Sequence, residues 1–119
     1  MAVKAIVLGS DGAARMIARH NYLADEVLPY IFHADPGHGW LEVPMRALRA
    51  FGVAGKISDY SYRKGDIAYL EEDCDAYKFL LARFPEGVAQ RVNFTSTGAV
   101  SEVYEENTPI RDYPSYWAD

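Results

Sequence analysis

Four carboxylates and the only cysteine of the chain lie within five consecutive residues, Glu71 to Asp75. Carboxylates this close together can bind a cation, form an acidic docking face, or begin a helix. Asp73 suits the N-cap of a following helix, and Asp75 suits its first turn, where the helix dipole favours negative charge. Glu71 and Glu72 point to opposite sides of a strand, so they cannot share one ion without a bulge. We expect a strand end and a helix cap, with an acidic docking face as the functional alternative.

A second cluster, His33, Asp35 and His38, contains three side chains of metal-ligand type in a Pro-Gly loop. A loop can bring such residues together for a metal-dependent hydrolase or nuclease. Their spacing matches no zinc signature, and neither a general base nor an oxyanion donor can be assigned. A metal site here is therefore the alternative hypothesis, and we predict no cofactor and no catalytic residue.

Cys74 follows three of the carboxylates directly. The dipole of a helix starting here would lower the pKa of its thiol, whereas the neighbouring carboxylates would raise it. The chain has no C-x-x-C motif, because it has only one cysteine. The pattern favours a buried structural thiol.

Several aromatic residues allow two interpretations: they anchor a protein interface, or they complete a small core. Aromatic side chains without basic neighbours do not indicate stacking of single-stranded nucleic acid. The candidates are Trp40, Phe79, Tyr113, Tyr116 and Trp117.

The elements that position these residues begin with a β-hairpin over residues 57–71. Two alternating runs flank Lys64-Gly65, which predicts that Tyr62 lies opposite Ile67 and Tyr60 opposite Tyr69. The following run, residues 74–84, predicts an amphipathic helix. Its expected apolar stripe consists of Tyr77, Leu80, Leu81 and Phe84.

The remaining patterns predict an α+β fold in one domain, residues 1–119. Strands are expected over residues 3–8, 27–32, 40–43, 90–95 and 100–104, and short helices over 13–19 and 45–51. We predict a small antiparallel sheet built on the central hairpin, with two or three helices packed on one face. The Pro- and aromatic-rich residues 108–119 are expected to form an extended tail.

Composition limits the possible functions. No apolar run approaches the roughly 20 residues of a membrane span, and the first ten residues are too strand-like for a signal peptide. A single cysteine suits the reducing cytoplasm. The net charge of −5 disfavours direct binding of nucleic acid, which depends on neutralising phosphates.

Three runs carry a resemblance: HGWLEVP from His38 to Pro44, Tyr60-Ser61-Tyr62, and YLEEDCD from Tyr69 to Asp75. Together they resemble a pattern in short uncharacterised proteins of phages, plasmids and related mobile elements. The resemblance covers the middle third of the chain. It implies a mobile-element context, in which small acidic proteins often inhibit host defence as anti-CRISPR or anti-restriction proteins.

The function expected from these observations is a non-enzymatic inhibitor that binds a host protein or a protein–nucleic-acid complex with a basic surface. The predicted partner-binding residues are Glu71, Glu72, Asp73, Asp75, Phe79 and Trp40. The alternatives are the hydrolase or nuclease described above, and a structural or homo-oligomeric accessory protein with the aromatic tail as its interface.

Overall fold

The computed structural model describes residues 10–89 and 95–119, which form four α-helices and five strands. The helices are α1 (Ser10–Asp25), α2 (Met45–Ala50), α3 (Ala76–Arg83) and α4 (Pro85–Ala89). The strands are β1 (Tyr30–Ala34), β2 (Gly39–Pro44), β3 (Tyr62–Lys64), β4 (Ile67–Glu71) and β5 (Val100–Tyr104). Short 3₁₀ helices span Ala54–Lys56 and Pro109–Asp112. Among the described residues, no helix is long and apolar enough to cross a membrane.

The strands form one sheet in the order β3-β4-β2-β1-β5. All neighbours are antiparallel except β1 and β5, which are parallel. The predicted α+β class, with a mainly antiparallel sheet, is therefore confirmed. The strand expected over residues 3–8, and most of the one expected over 90–95, lie outside the described residues.

The core lies between one face of the sheet and the helices. Leu41, Val43 and Leu70 point inward from the strands, and Met45 and Leu48 of α2 meet them; all five are at most 1% exposed. Burying a large aliphatic side chain contributes roughly 1.5–3 kcal/mol. Trp40 and Glu71 alternate with these inward residues and lie on the opposite, outer face.

The hairpin forms as predicted, but the predicted register is wrong by two residues. Lys64 lies opposite Ile67, and Tyr62 lies opposite Tyr69. Gly65 has a φ of +60° and occupies the first turn position, so the turn is Gly65-Asp66. A shift of two residues keeps each side chain on its predicted face, but it leaves Tyr60 beyond the strand and 69% exposed.

Two helices differ from the prediction. Helix α1 continues to Asp25, beyond the predicted end at residue 19, because Tyr22 is buried against Phe51 with ring centroids 6.2 Å apart. Helix α3 buries Ala76 and Phe79, whereas Tyr77 and Leu81 of the predicted stripe are exposed.

The C-terminal residues 108–119 pack against their own chain. The backbone N–H of Arg63 donates to the Pro114 carbonyl at 2.9 Å, and that of Tyr116 donates to the Ser61 carbonyl at 2.9 Å. Tyr116 is buried, and the Arg63 guanidinium donates to both carboxylate oxygens of Asp119 at 2.9 and 3.0 Å. This segment therefore covers the outer edge of β3.

Candidate binding cleft

Four separate parts of the sequence meet at one cleft of about 350 Å³ on the outer side of the sheet. Cross-strand pairing places Trp40 of β2 directly beside Glu71 of β4, and β3 lies on the other side of β4. The lining residues are His38, Trp40, Tyr60, Tyr62, Glu71, Asp73, Cys74 and Arg111. The runs that carry the mobile-element resemblance supply all of them except Arg111.

Glu71 closes the acidic turn that forms one wall. Its Oε2 accepts hydrogen bonds from the backbone N–H groups of Asp73 at 3.0 Å and Cys74 at 2.9 Å. The prediction that Asp73 caps the helix is wrong, because α3 begins at Ala76 with Asp75 at the N-cap position, and the Asp73 side chain remains exposed. The turn projects Glu72, Asp73 and Cys74 toward solvent.

Asp75 has a structural role, because its side chain is fully buried at the start of α3. Its Oδ2 accepts from the hydroxyls of Ser58 and Ser61, each at 2.6 Å, and its Oδ1 accepts from the Lys78 ammonium at 2.8 Å. Burial alone would raise the pKa of Asp75, but these hydrogen bonds outweigh it, so the pKa is lowered. The bonds also orient α3 so that Phe79 enters the core with no exposed surface.

The predicted partner-binding residues therefore divide into two groups. Asp75 and Phe79 are buried away from any partner, and Trp40 is 2% exposed. Glu72 and Asp73 are exposed, and Glu71 is half-buried. Only the second group offers carboxylates at the surface.

The exposed carboxylates create a negative field. Desolvation, followed by the charges of Asp73 and Glu71, raises the pKa of Glu72. In the described part of the chain, no Lys or Arg forms an ion pair with Glu71, Glu72 or Asp73. The wall therefore carries negative charge that no described Lys or Arg neutralises through an ion pair.

The prediction that Cys74 is buried is wrong, because Cys74 is exposed. Partial desolvation, together with the Glu71 and Asp75 carboxylates, raises the pKa of its thiol. A protonated thiol is a weak nucleophile, so this environment does not favour covalent catalysis.

Aromatic rings also line the cleft. The ring of Trp40 lies 6.1 Å from that of Tyr62 and 6.0 Å from that of His38, measured between centroids. The indole N–H of Trp40 is buried and has no hydrogen-bond partner among the described residues. A buried donor left unpaired costs about 1–3 kcal/mol. An unpaired buried donor requires an explanation, and one explanation is a ligand that supplies a hydrogen-bond acceptor.

Arg111 is the lining residue that the sequence did not suggest. It donates to both oxygens of Asp35, at 2.7 and 2.9 Å, and its guanidinium lies 5.3 Å from the Trp40 ring centroid. These hydrogen bonds, with those from the backbone N–H groups of Gly37 and His38, hold the pKa of Asp35 well below its usual range. Asp35 and Arg111 are 76 positions apart, so no local pattern signals the pair.

The three residues of the predicted metal site have different partners. His33 Nε2 lies 2.8 Å from Glu42 Oε1, Asp35 pairs with Arg111, and His38 stacks near Trp40. Within residues 10–89 and 95–119, no group of three or more His, Cys, Asp or Glu side chains is arranged to hold a metal ion.

Comparison with protein-family models, with curated proteins and with solved structures finds no match for this chain. The functional assignment therefore depends on the cleft itself.

Proposed function

We propose that this protein is a non-enzymatic binding module that docks onto a basic surface of a partner protein. The docking surface consists of the cleft, which Glu71 and Asp73 line, and of the exposed Glu72 between them in the sequence; these three carboxylates are called the acidic rim. One observation carries the proposal: aromatic rings and carboxylates without a cationic partner in the described chain lie together in one exposed cleft. Opposite charge on a partner would steer association, and aromatic side chains would anchor it.

The chemistry of the cleft supports binding in preference to catalysis. The Cys74 thiol has a raised pKa, and the Glu71 carboxylate is engaged in closing its own turn. Asp35 is neutralised by Arg111. To act as a nucleophile or a general base, each of these groups would have to lose the hydrogen bonds or the electrostatic interactions that it has in this structure.

The resemblance to mobile-element proteins narrows the proposed partner to a host nucleic-acid-binding defence complex in the cytoplasm. On this hypothesis the protein is an inhibitor of the anti-CRISPR or anti-restriction type. The basic groove of such a complex provides the Lys and Arg side chains that the acidic rim would meet. This partner class stays a prediction.

A paired pull-down from bacterial lysate tests the docking surface. The first variant reverses charge at the rim (Glu72→Lys with Asp73→Lys). The matched control (Glu86→Lys with Glu106→Lys) makes the same change in net charge at exposed sites that do not line the cleft. Retention is compared at about 0.1 M and about 1 M salt, between which the Debye length falls from about 10 Å to about 3 Å.

We expect the wild type and the control to retain a protein from the lysate at low salt. The rim variant should not retain that protein, and high salt should release it from the wild type. Equal retention by the wild type and the rim variant would overturn the proposal. Equal loss from the rim variant and the control would also overturn it, because net charge rather than the cleft would then be responsible.

A further inference from the structure

Four arginines in the described part of the chain each lie over an aromatic ring and pair with a carboxylate: Arg46, Arg63, Arg83 and Arg111. Two of them show the arrangement. The guanidinium of Arg111 lies over Trp40 and pairs with the Asp35 carboxylate. The guanidinium of Arg63 lies 4.3 Å from the Trp117 ring centroid and pairs with the Asp119 carboxylate. A planar guanidinium suits this arrangement, since its face stacks on a ring while its edge donates to a carboxylate.

The cleft offers the same two components, and no described Lys or Arg forms an ion pair with its carboxylates, because Arg111, which also lines it, pairs with Asp35. Tyr60 and Tyr62 provide aromatic surface, and Glu71 and Asp73 provide carboxylates. Tyr60 and Asp73 are both exposed, so a side chain from another molecule can reach them. A phosphate group would meet repulsion from the same carboxylates.

The indole of Trp40 adds an independent requirement. Trp40 lines the cleft and is 2% exposed, and its buried N–H lacks an acceptor among the described residues, so an acceptor on a ligand reaches it only after the indole turns toward the cleft. A guanidinium offers no acceptor. A peptide carries both groups, because a main-chain carbonyl adjoins every arginine side chain.

We infer that the cleft receives an arginine of a partner protein, with its guanidinium against the tyrosines and carboxylates and an adjoining main-chain carbonyl serving Trp40. The inference rests on the proposed docking function and names the group that docks. Lysine fits less well, because an ammonium lacks the planar face and the paired donors.

Titration of the ¹⁵N-labelled full chain with the blocked tripeptide Gly-Arg-Gly, followed by NMR, tests this directly. The chain has two tryptophans, Trp40 and Trp117, and only Trp40 lines the cleft, so Trp117 serves as an internal control. The arginine peptide is expected to shift the Trp40 indole N–H signal and to leave the Trp117 signal in place. The peptide with citrulline, which has nearly the shape of arginine without its charge, is expected to shift neither.

Matched variants separate the cleft from the rest of the surface. Asp73→Asn is expected to weaken binding of the arginine peptide about tenfold, the scale of a hydrogen bond to a charged group. Tyr60→Leu is expected to weaken it about threefold through loss of the ring. Tyr77→Leu and Glu86→Gln, exposed positions that do not line the cleft, should bind like the wild type.

Two results would overturn the inference. In the first, the citrulline peptide shifts the Trp40 indole N–H signal as strongly as the arginine peptide does. In the second, guanosine, titrated as a separate ligand, shifts that signal and the arginine peptide does not.

The pull-down separates this inference from the docking function. If the arginine peptide does not bind while charge reversal at the rim still releases a partner in the pull-down, the docking function stands without an arginine in the cleft. If the arginine peptide binds while the pull-down is insensitive to the rim, the arginine site stands and the docking function fails.

Discussion

At the scale of single residues, four neighbouring carboxylates have three different fates. Glu71 closes a turn, Asp75 is buried on two serines and a lysine, and Glu72 and Asp73 remain exposed. The sequence predicts that Asp75 stabilises the start of the helix, but it does not reveal the Ser58 and Ser61 hydroxyls. Those serines come from the segment before β3, so only the folded chain brings them to Asp75.

Replacing Asp75 by Asn should lower the free energy of unfolding by about 2 kcal/mol, because charge-assisted hydrogen bonds to a buried group are lost. The matched change at the exposed neighbour, Asp73→Asn, should alter it by less than about 0.5 kcal/mol. Urea unfolding followed by circular dichroism measures both. Equal effects at the two positions would refute the structural role of Asp75.

Acid should destabilise the protein, because the pKa values of the Asp75 and Asp35 carboxyls are lowered in the folded chain. Below the unfolded-state pKa of about 4, the unfolded chain takes up protons that the folded carboxylates do not. The free energy of unfolding should therefore be highest above about pH 5 and fall toward pH 3. Urea midpoints at both pH values test this, and Asp75→Asn should show a shallower decline than the wild type. Parallel declines would show that Asp75 does not contribute.

At the scale of elements, local patterns predicted the strands better than the register and the helix faces. The alternation of residues 40–43 predicted β2, in which Leu41 and Val43 are buried. Residues 100–104 also form the expected strand, β5, in which Val100 is the buried residue. The hairpin register depended on which residue takes the left-handed turn position, and the orientation of α3 depended on the distant serines. The cleft depends on the hairpin register, on the orientation of α3 and on the Arg111–Asp35 pair. The residues that line it were therefore only partly predictable.

The start of β2 leaves little room for a side chain at Gly39. A Cβ built there would lie well inside contact distance of the Phe32 ring on β1. Gly39→Ala should therefore lower the free energy of unfolding by about 2 kcal/mol. Gly55→Ala, where a Cβ meets nothing within 4 Å, should stay within about 0.5 kcal/mol of the wild type. Similar thermal midpoints for the two variants would show that the strands relax to accept the methyl group.

The C-terminal segment acts as part of the body, although its rings were also considered as an oligomer interface. Deleting residues 113–119 removes the buried Tyr116 and the carboxylate partner of Arg63. We expect the deletion to lower the free energy of unfolding by about 3 kcal/mol. Chemical denaturation gives the stability, and a mass measurement in solution gives the oligomeric state. A stable deletion variant that has lost an oligomer would instead favour the accessory-protein hypothesis.

At the scale of the whole molecule, the helices cover one face of the sheet, and the C-terminal segment partly covers the other. Between that segment and the acidic turn lies the cleft, where the Glu71 and Asp73 carboxylates lie beside aromatic rings. The molecule has a second depression of about 470 Å³ beside the exposed Val27 and Leu28, remote in sequence from the acidic turn. The cleft and this depression are therefore alternative surfaces for binding a partner.

Hydrogen–deuterium exchange of the wild-type chain, alone and with the protein that it retains in the pull-down, decides between these surfaces most directly. The binding-module account predicts slower exchange in residues 38–40 and 71–74 of the bound chain, with residues 26–31 unchanged. Protection confined to residues 26–31, with the cleft segments exchanging as in the free protein, would contradict it.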